Sequence, residues 1–315
     1  MITIIKYQDN RKNEWDDFVL NSKNGVFFFL RDYVEYHSHR FTDYSLMFYD
    51  DDNLKAILPA NIKDGVLYSH EGLSFGGMVL DSEITTIPAT NLFLELLSLA
   101  RKLGIRKIVY KCIPYIYHIH PAQEDLYSLY QADAVLVSRK PSAVIDMQDR
   151  IGFRTLRKRG VKKAIKNDLV VKQTDDYKTY WDITIENLMD KYKVKPVHSL
   201  EEIEHLKSRF TENIKLFASF KGEEMLAGVL MYENRNVVRA QYISSTPEGR
   251  AVGAFDVIVD YLINNYYAHK DYFDFGVSTE TYLVNDKLIL NESLVFQKEG
   301  FGSRSVVYDI YEVNL

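Results

Sequence analysis

The fold is decided by the stretch LFASFKGEEMLAGVLMYENRNVVRAQYISSTPEGRAVGAFDVIVDYLINNYYAHKDYFDFGV, which runs from Leu216 to Val277. It contains three runs of β-branched, aromatic and small apolar residues, Leu216–Phe220, Met225–Tyr232 and Val237–Ser244, separated by polar or glycine-bearing turns. Such runs predict three strands of a sheet. A loop rich in Ser, Thr, Pro and Gly follows at Ser245–Gly253.

The residues after this loop predict a helix and then a returning strand. Apolar side chains recur at the i, i+3, i+4, i+7 spacing that places them on one helical face. They are Phe255, Ile258, Val259, Leu262, Ile263 and Tyr266. Tyr272–Val277 is again an apolar run of the strand type. Strands, a loop, a helix and a returning strand together make an α+β unit.

The first half of the chain shows the same order of elements. Three predicted strands, at Leu46–Tyr49, Leu54–Ala60 and Val66–His70, precede a loop that contains Gly72, Gly76 and Gly77. The next segment has apolar residues at helical spacing and stops at a glycine, and an apolar run then returns as a strand. The helical positions are Ala89, Leu92, Phe93, Leu96, Leu97, Ala100 and Leu103, the glycine is Gly104 and the strand is Ile105–Cys112.

The two copies are offset by roughly 160 to 170 residues, which is close to the usual length of one domain. We therefore predict an α+β fold with two like domains in tandem, each a mostly antiparallel sheet with flanking helices. The first would cover residues 1–148 and the second residues 149–315.

The composition limits the classes of protein that the chain can represent. The 315 residues carry 39 Lys and Arg against 44 Asp and Glu, and this net charge of −5 argues against a dedicated nucleic-acid binder. The one cysteine, Cys112, excludes an intrachain disulfide and fits a reducing compartment. There is no secretory signal pattern at the start and no apolar run of membrane-spanning length, so we expect a cytoplasmic protein.

Seven short strings share the pattern of one known group of proteins, and they are spread over nearly the whole chain. They are Trp15–Val19, Tyr68–His70, Phe75–Gly77, Pro196–Ser199, Gln241–Ser244, Phe273–Thr279 and Phe296–Gly302. In these strings each unit resembles the GNAT acyltransferase fold, and the doubled arrangement resembles the Fem-type (FemABX-like) peptidyltransferases and their relatives.

This resemblance implies an acyltransferase that moves an acetyl or aminoacyl group to an amine of a cell-envelope sugar or peptide precursor. Acyl-CoA would be the donor, the first domain would bind the acceptor and the second would hold the transfer centre. Two alternatives stay open, namely a Fem-type peptidyltransferase that uses aminoacyl-tRNA and a non-catalytic binding module with the same fold. The oligomeric state is left open.

The loop before the second predicted helix is the candidate cofactor site. Helix N-termini expose unpaired N–H groups and attract anions, and small residues let a phosphate come close to the backbone. Ser244, Ser245, Arg250, Gly253 and Ala254 are the residues that we predict to bind the pyrophosphate of the donor.

Four residues are candidates for the catalytic chemistry. His198 follows a proline in a predicted loop, and the ordinary pKa of histidine suits proton transfer. Asp274 and Ser278 flank a glycine where a strand ends, and Lys298 stands in an apolar stretch where an ammonium can steady an oxyanion or a phosphate. The competing interpretations are a surface histidine, a turn or cap role for Asp274 and Ser278, and a lysine whose head reaches solvent.

Seven further residues are predicted to contact the substrate. They lie at the ends of predicted strands or in glycine-bearing loops, where binding residues concentrate. In the first domain they are Ser69, His70, Gly76, Gly77 and Lys111, and in the second they are Gln241 and Tyr242.

The segment Arg154–Lys166 contains seven Lys or Arg and no acid. Leu156, Val161, Ala164 and Ile165 can share one face of a helix there, which would leave the basic side chains in solvent. The candidate partners of this segment are the phosphates of a nucleotide-linked acceptor, transfer RNA or an anionic membrane surface. A plain solvated helix face is the alternative.

The remaining histidines do not predict a metal centre. His118 and His120 would place two imidazoles on one face, but the neighbouring sequence offers no third ligand, so we expect no metal site. His37 and His39 flank a predicted helix end, and we expect both at the surface.

Overall fold

The structure is a computed structural model that describes residues 1–284 and 287–315. The chain divides into two compact units. Unit 1 comprises Met1–Pro141, Leu283–Leu288 and Val307–Leu315, and unit 2 comprises Ser142–Tyr282 and Ile289–Val306. Among the described residues, no helix is both long and apolar enough to cross a membrane.

The strands are β1 (Ile2–Lys6), β2 (Leu46–Asp50), β3 (Asn53–Leu58), β4 (Asn61–Lys63), β5 (Val66–Tyr68), β6 (Val79–Leu80), β7 (Lys107–Lys111), β8 (Val135–Asp146), β9 (Val170–Thr174), β10 (Ile214–Lys221), β11 (Glu224–Glu233), β12 (Val237–Ser245), β13 (Tyr272–Val277), β14 (Thr279–Val284), β15 (Lys287–Leu290) and β16 (Arg304–Asn314). The α-helices are α1 (Lys12–Asn21), α2 (Arg31–Glu35), α3 (Thr86–Lys102), α4 (Glu124–Gln131), α5 (Thr155–Lys166), α6 (Tyr177–Tyr192), α7 (Leu200–Arg209), α8 (Pro247–Val252), α9 (Ala254–Tyr261) and α10 (Glu292–Glu299).

Unit 1 contains two strand groups that pack with the long helix α3. One is the sheet β1-β2-β3-β6, in which the neighbours are antiparallel. In the other, β4 pairs with β5, β5 runs parallel to β7, and the last residues of β16 pair antiparallel with β7. The apolar face of α3 is buried in the core of this unit, as its spacing predicts.

Unit 2 is built on one sheet with the order β8-β13-β12-β11-β10-β9, to which β8 contributes its last residues. All neighbours are antiparallel except β12 and β13, which run parallel. The apolar face of α9 fills the core above this sheet. A π-helical turn, Leu262–Tyr266, continues α9 and keeps Leu262 and Ile263 buried.

The parallel strands β12 and β13 stay together over only three residue pairs, from Val237 with Tyr272 to Arg239 with Asp274. Beyond these pairs neither strand is paired with the other, although β12 continues to Ser245. Two neighbouring strands that part in this way leave a gap between their ends where a ligand can enter. In unit 1, β5 and β7 form the corresponding parallel pair, also over three residue pairs.

Most of the strands and helices predicted from the sequence are confirmed, with three corrections. The predicted loop Ser245–Gly253 contains the short helix α8, because Thr246 caps it and accepts a hydrogen bond from the Gly249 N–H. The predicted strand Leu54–Ala60 ends at Leu58, and the chain changes sheets there. In α5, Val161 and Ala164 are buried, but Leu156 and Ile165 point to solvent.

His37 is not at the surface, because it is buried in a cluster of rings with Tyr36, Phe41 and His70; His39 is exposed as expected.

The domain limit between residues 148 and 149 stays a prediction. The compact units are divided between Pro141 and Ser142, and unit 1 also takes the end of β16 because that end pairs with β7.

Burial makes unit 1 sensitive to acid. It lowers the pKa of His70 to about 3 and that of His118 to about 4. Above pH 6.5 the two rings are neutral in both the folded and the unfolded chain, so they do not affect stability. As the pH falls below 6.5, the two histidines bind protons in the unfolded chain but not in the folded chain, so the free energy of unfolding decreases. Asp125 acts in the opposite sense, since burial raises its pKa to about 6.

We therefore expect His118→Gln to remove part of this acid sensitivity. Between pH 6.5 and 5, the unfolding free energy of the wild type should fall by about 1.5 kcal/mol more than that of the variant. The chain has two tryptophans, so a Trp181→Phe background leaves Trp15 as the fluorescence reporter of unit 1 in urea titrations. The exposed His120 supplies the control, and His120→Gln should follow the wild type. If the unfolding free energies of the wild type and His118→Gln changed with pH in the same way, this would contradict a lowered pKa of His118 in the folded chain.

Candidate functional site

A pocket of about 430 Å³ opens in unit 2 where β12 separates from β13. Helices α5, α6, α8, α9 and α10 and the end of β12 supply its walls. Its lining residues are Arg157, Thr184, Asn187, Leu188, Tyr242, Ile243, Ser244, Ser245, Gly249, Arg250, Gly253, Phe255, Asp256, Leu294, Gln297 and Lys298. Of the residues predicted from the sequence, six meet here, namely Tyr242, Ser244, Ser245, Arg250, Gly253 and Lys298.

One rim of the pocket is a hydrogen-bond network centred on Arg250. Its Nη1 donates to the Ser245 carbonyl oxygen at 2.6 Å and to the Asn187 side-chain oxygen at 2.7 Å. Asn187 in turn donates to the same Ser245 carbonyl at 2.9 Å. The network joins α6, β12 and α8, and it orients the guanidinium at the pocket wall.

The glycines of α8 and its junction with α9 allow close backbone approach. A Cβ on Gly249 would clash with the Leu226 carbonyl oxygen, so this face of α8 lies directly on β11. Gly253 has φ +81°, and a Cβ there would clash with the carbonyl oxygen of Gly160 in α5. The junction that we predicted to receive a pyrophosphate is therefore covered on this side by α5, and Ala254 is fully buried.

Arg157 of α5 and Asp256 of α9 form an ion pair in the pocket wall. The Arg157 Nη1 to Asp256 Oδ1 distance is 2.7 Å, and both side chains are mostly shielded from solvent. Burial raises the pKa of Asp256, and the guanidinium opposes that shift. Gly160 leaves the space that the Asp256 carboxylate needs.

Lys298 projects from α10 with its ammonium group buried. Its Nζ donates to the carbonyl oxygens of Gly276 and Val277 at 2.8 and 2.9 Å and to the Ser278 Oγ at 2.9 Å. Burial lowers its pKa to about 8, so the group is charged at neutral pH. These bonds hold the free end of β13 against α10 and bring two of the candidate catalytic residues, Lys298 and Ser278, into direct contact.

His198 and Tyr242 also meet. The His198 Nδ1 lies 2.7 Å from the Tyr242 Oη, and His198 is buried immediately before the capped start of α7. The Trp181 ring packs edge-on against Tyr242 at 5.0 Å between centroids. Burial raises the pKa of Tyr242 to about 12, so its hydroxyl stays protonated at neutral pH. Tyr242 lines the pocket, whereas His198 reaches it through Tyr242.

Asp274 is fully buried and does not line the pocket. Its Oδ1 accepts from the Ser142 Oγ at 2.5 Å and from the Gly276 N–H at 2.7 Å, and its Oδ2 lies 3.5 Å from the Arg239 Nη1. Gln241 accepts from the Arg239 Nε at 3.1 Å. Asp274 thus links β8, β12 and β13 at the last residue pair before β12 and β13 part.

The substrate residues predicted in unit 1 gather around Lys111 and contact its side chain or its backbone. Lys111 Nζ donates to the carbonyl oxygens of His70, Glu71 and Leu73 at 2.9 to 3.1 Å, and its backbone N–H donates to the Ser69 Oγ at 2.7 Å. Burial lowers the pKa of Lys111 to about 8. The Gly76 N–H donates to the Lys111 carbonyl at 3.2 Å.

The glycines beside this cluster are also tightly packed. A Cβ on Gly76 would clash with the Ser69 carbonyl oxygen, and Gly77, with φ +90°, lies against the Tyr110 hydroxyl. Side chains and backbone thus fill the space beside β5 and β7. The role of these residues in substrate binding stays a prediction.

Ten of the sixteen lining residues were not predicted as site residues, among them Thr184, Asn187 and Asp256. Asn187 and Thr184 belong to no motif, and only the fold of α6 brings them to the pocket. Asp256 had a signal, because it is one of two acids in a helix whose other residues are apolar or aromatic. Within the described residues, no group of three or more His, Cys, Asp or Glu is arranged to hold a metal ion.

Comparisons with known proteins agree with this architecture. Residues 153–282 match the family model of an acetyltransferase (GNAT) domain. The solved structure of FemX is similar with a TM-score of 0.70 and 11% identity, over 99% of this chain and 97% of that one. L-PGS from Bacillus licheniformis follows with a TM-score of 0.59 and 10% identity, over 97% and 92%.

A tandem GNAT protein from the clavulanic acid biosynthesis pathway is similar with a TM-score of 0.50 and 9% identity, over 100% of this chain and 98% of that one. No curated protein sequence matches the chain. The predicted resemblance to Fem-type tandem GNAT proteins is therefore confirmed, as is the α+β tandem fold. At these identities the likeness to solved structures establishes the fold.

The contact between α5 and Gly253 can be tested by substitution. Gly253→Ala should cost at least about 3 kcal/mol of unfolding free energy, since the positive φ costs about 1–2 kcal/mol and the clash with Gly160 adds overpacking. Gly222→Ala is the matched control, because Gly222 has φ +58° but open space around it, and it should cost only about 1–2 kcal/mol. Urea unfolding of unit 2, read from Trp181 in a Trp15→Phe background, measures both. Equal losses would show that α5 does not press on Gly253.

Proposed function

We propose that the pocket of unit 2 transfers an acyl group, acetyl or aminoacyl, to an amine, with acyl-CoA as the donor. The observation that carries this proposal is the convergence of six predicted site residues on one pocket. The fold is that of GNAT acyltransferases, and the matched segment, residues 153–282, contains most of the pocket wall.

The charge of the pocket suits a donor that carries phosphate groups. Arg157, Arg250 and Lys298 supply three cations, and Asp256 is the one acid among the lining residues. Arg250 is held by Asn187 and Ser245 so that its remaining N–H groups can bind an oxyanion without first losing side-chain entropy. Ser244 and Ser245 add small polar groups at the same wall.

The pair of Tyr242 and His198 supplies a route for the proton of the amine. In the transfer step the amine nitrogen forms a bond to the acyl carbonyl carbon, and the bond from that carbon to the donor's sulfur or oxygen breaks. Tyr242 takes the amine proton and passes its own hydroxyl proton to His198 across the 2.7 Å contact. The donor's leaving group takes up a proton from solvent, so the step balances.

Lys298 and Ser278 complete the proposed centre from the other side of the gap. Lys298 borders the pocket, and its charge favours the oxyanion that develops on the carbonyl oxygen. Its three bonds to the end of β13 fix its position before the substrate arrives. Asp274 acts on this centre through structure, since it positions Gly276 and the start of the gap.

For the acceptor we propose an amine on a cell-envelope sugar or peptide precursor, bound with the help of unit 1, in a cytoplasmic enzyme. The resemblance to Fem-type proteins supports an acceptor of this class, and the FemX structure has this fold. The C-terminal domain of a putative lysylphosphatidylglycerol synthetase, which has the same fold, is named for a membrane lipid and so supports a cell-envelope substrate in general. A second candidate function is transfer from aminoacyl-tRNA. The observation that favours it is the cover of α5 over Gly253, which leaves less room for a pyrophosphate at the α9 N-terminus.

A thermal-shift assay distinguishes the donors. We expect acyl-CoA to raise the melting temperature of the chain by several degrees at saturating concentration, because a ligand that binds the native state stabilises it. Arg250→Gln should lose most of this shift, whereas Arg235→Gln, at an exposed turn, should keep it. A shift with aminoacyl-tRNA alone would favour the second candidate. If neither donor changed the melting temperature, the proposal would be overturned, and the non-catalytic binding module would be the one remaining alternative.

The proton route predicts a specific loss in Tyr242→Phe. This variant keeps the ring that packs on Trp181 but removes the hydroxyl, so turnover should fall by at least about 100-fold while KM for the donor changes little. The remaining turnover rate of the variant should also no longer show the fall at low pH that comes from protonation of His198. Tyr266→Phe, whose hydroxyl lies outside the pocket, is the control. An unchanged rate and pH profile in Tyr242→Phe would remove the pair from the mechanism.

A further inference from the structure

The exposed face of α5 carries a group of cations that the acyl-transfer pocket does not use. Lys158, Arg159, Lys162, Lys163 and Lys166 are all exposed. No carboxylate within residues 1–284 and 287–315 lies at ion-pair distance from any of these five side chains. The two other basic residues of the segment are engaged, Arg154 with Glu299 and Arg157 with Asp256.

Helix geometry separates these cations from the pocket. An α-helix has 3.6 residues per turn, so Arg159, Lys162 and Lys166 lie on the side of α5 opposite Arg157. Arg157 lines the pocket, and the buried Val161 and Ala164 lie on its side of the helix. A ligand in the pocket therefore does not explain why the opposite side is basic over about two turns.

Large aliphatic side chains border this basic face. Leu156 is 54% exposed and lies along one flank of the helix, and Ile165, 61% exposed, lies along the other. Two more exposed aliphatic residues stand close in sequence to the ends of α5, Ile151 before it and Val170 after it. Exposed aliphatic groups on both flanks of a row of lysines are costly in water and add nothing to a contact with a phosphate backbone.

We propose that this face of α5 docks on an anionic lipid bilayer. The lysines and Arg159 would lie among the headgroups, and Leu156 and Ile165 would enter the boundary with the acyl chains beside them. Each Lys or Arg near an anionic surface is worth about fivefold in binding, so five of them suffice for reversible attachment of a chain whose net charge is −5. The surface is separate from the acyl-transfer pocket, and its test needs no turnover.

The test is co-sedimentation of the full chain with vesicles of equal parts phosphatidylglycerol and phosphatidylcholine, against vesicles of phosphatidylcholine alone. We expect binding to the first at least tenfold tighter than to the second, and weaker at high salt. Lys162→Glu with Lys166→Glu should reduce binding to the anionic vesicles at least tenfold. Lys63→Glu with Lys102→Glu, at exposed lysines of unit 1, makes the same change in net charge and should leave binding intact.

The aliphatic flanks have their own pair of variants. Leu156→Ser with Ile165→Ser should weaken binding to the anionic vesicles severalfold, and Ile87→Ser with Leu94→Ser, at exposed positions of α3, should not. Equal binding to both vesicle types, or equal losses in test and control variants, would overturn the proposal. A third result would overturn the proposal in favour of RNA. In that case the chain would not bind either vesicle type but would bind transfer RNA, and this binding would be lost in the Lys162→Glu, Lys166→Glu variant and kept in the Leu156→Ser, Ile165→Ser variant.

Discussion

The site in unit 2 depends on the point where two parallel strands stop pairing. β12 and β13 part after Arg239 and Asp274, and two buried charges hold that geometry. Asp274 ties three strands together at the last pair, while Lys298 binds the free end of β13 through two carbonyls and one hydroxyl. A buried charge persists only when it is paired and hydrogen-bonded, so each group enforces a defined arrangement of the strands around it.

Unit 1 repeats the parallel pair but fills the space beside it. After the last paired residues of β5 and β7, Lys111 turns its ammonium to three carbonyl oxygens of the loop that follows β5. Gly76 and Gly77 bring that loop against the strands. The same backbone plan thus yields an open pocket in one unit and a closed, hydrogen-bonded cluster in the other, because a lysine occupies the gap in unit 1 and borders it in unit 2.

Helix α5 connects the charge pattern of the sequence with the pocket. One side, with Gly160 and Arg157, packs on α8 and α9 so closely that only glycine fits at Gly253. The other side keeps its cations in solvent. A run of basic residues that looks uniform in the sequence therefore has two physical roles, since the helical period places Arg157 on the pocket side of α5 and Arg159, Lys162 and Lys166 on the opposite, exposed side.

The sequence by itself determined the α+β class, the repeated order of strands and helix, and six of the sixteen residues that line the pocket, because apolar periodicity and glycine-bearing loops are local signals. It did not reveal that His37 is buried, that Asp274 lies away from the pocket, or that Asn187 and Asp256 belong to it. Those facts depend on which faces of distant elements meet. Only tertiary structure places α6 beside β12 and α5 beside α9, and burial and charge pairing are properties of those contacts.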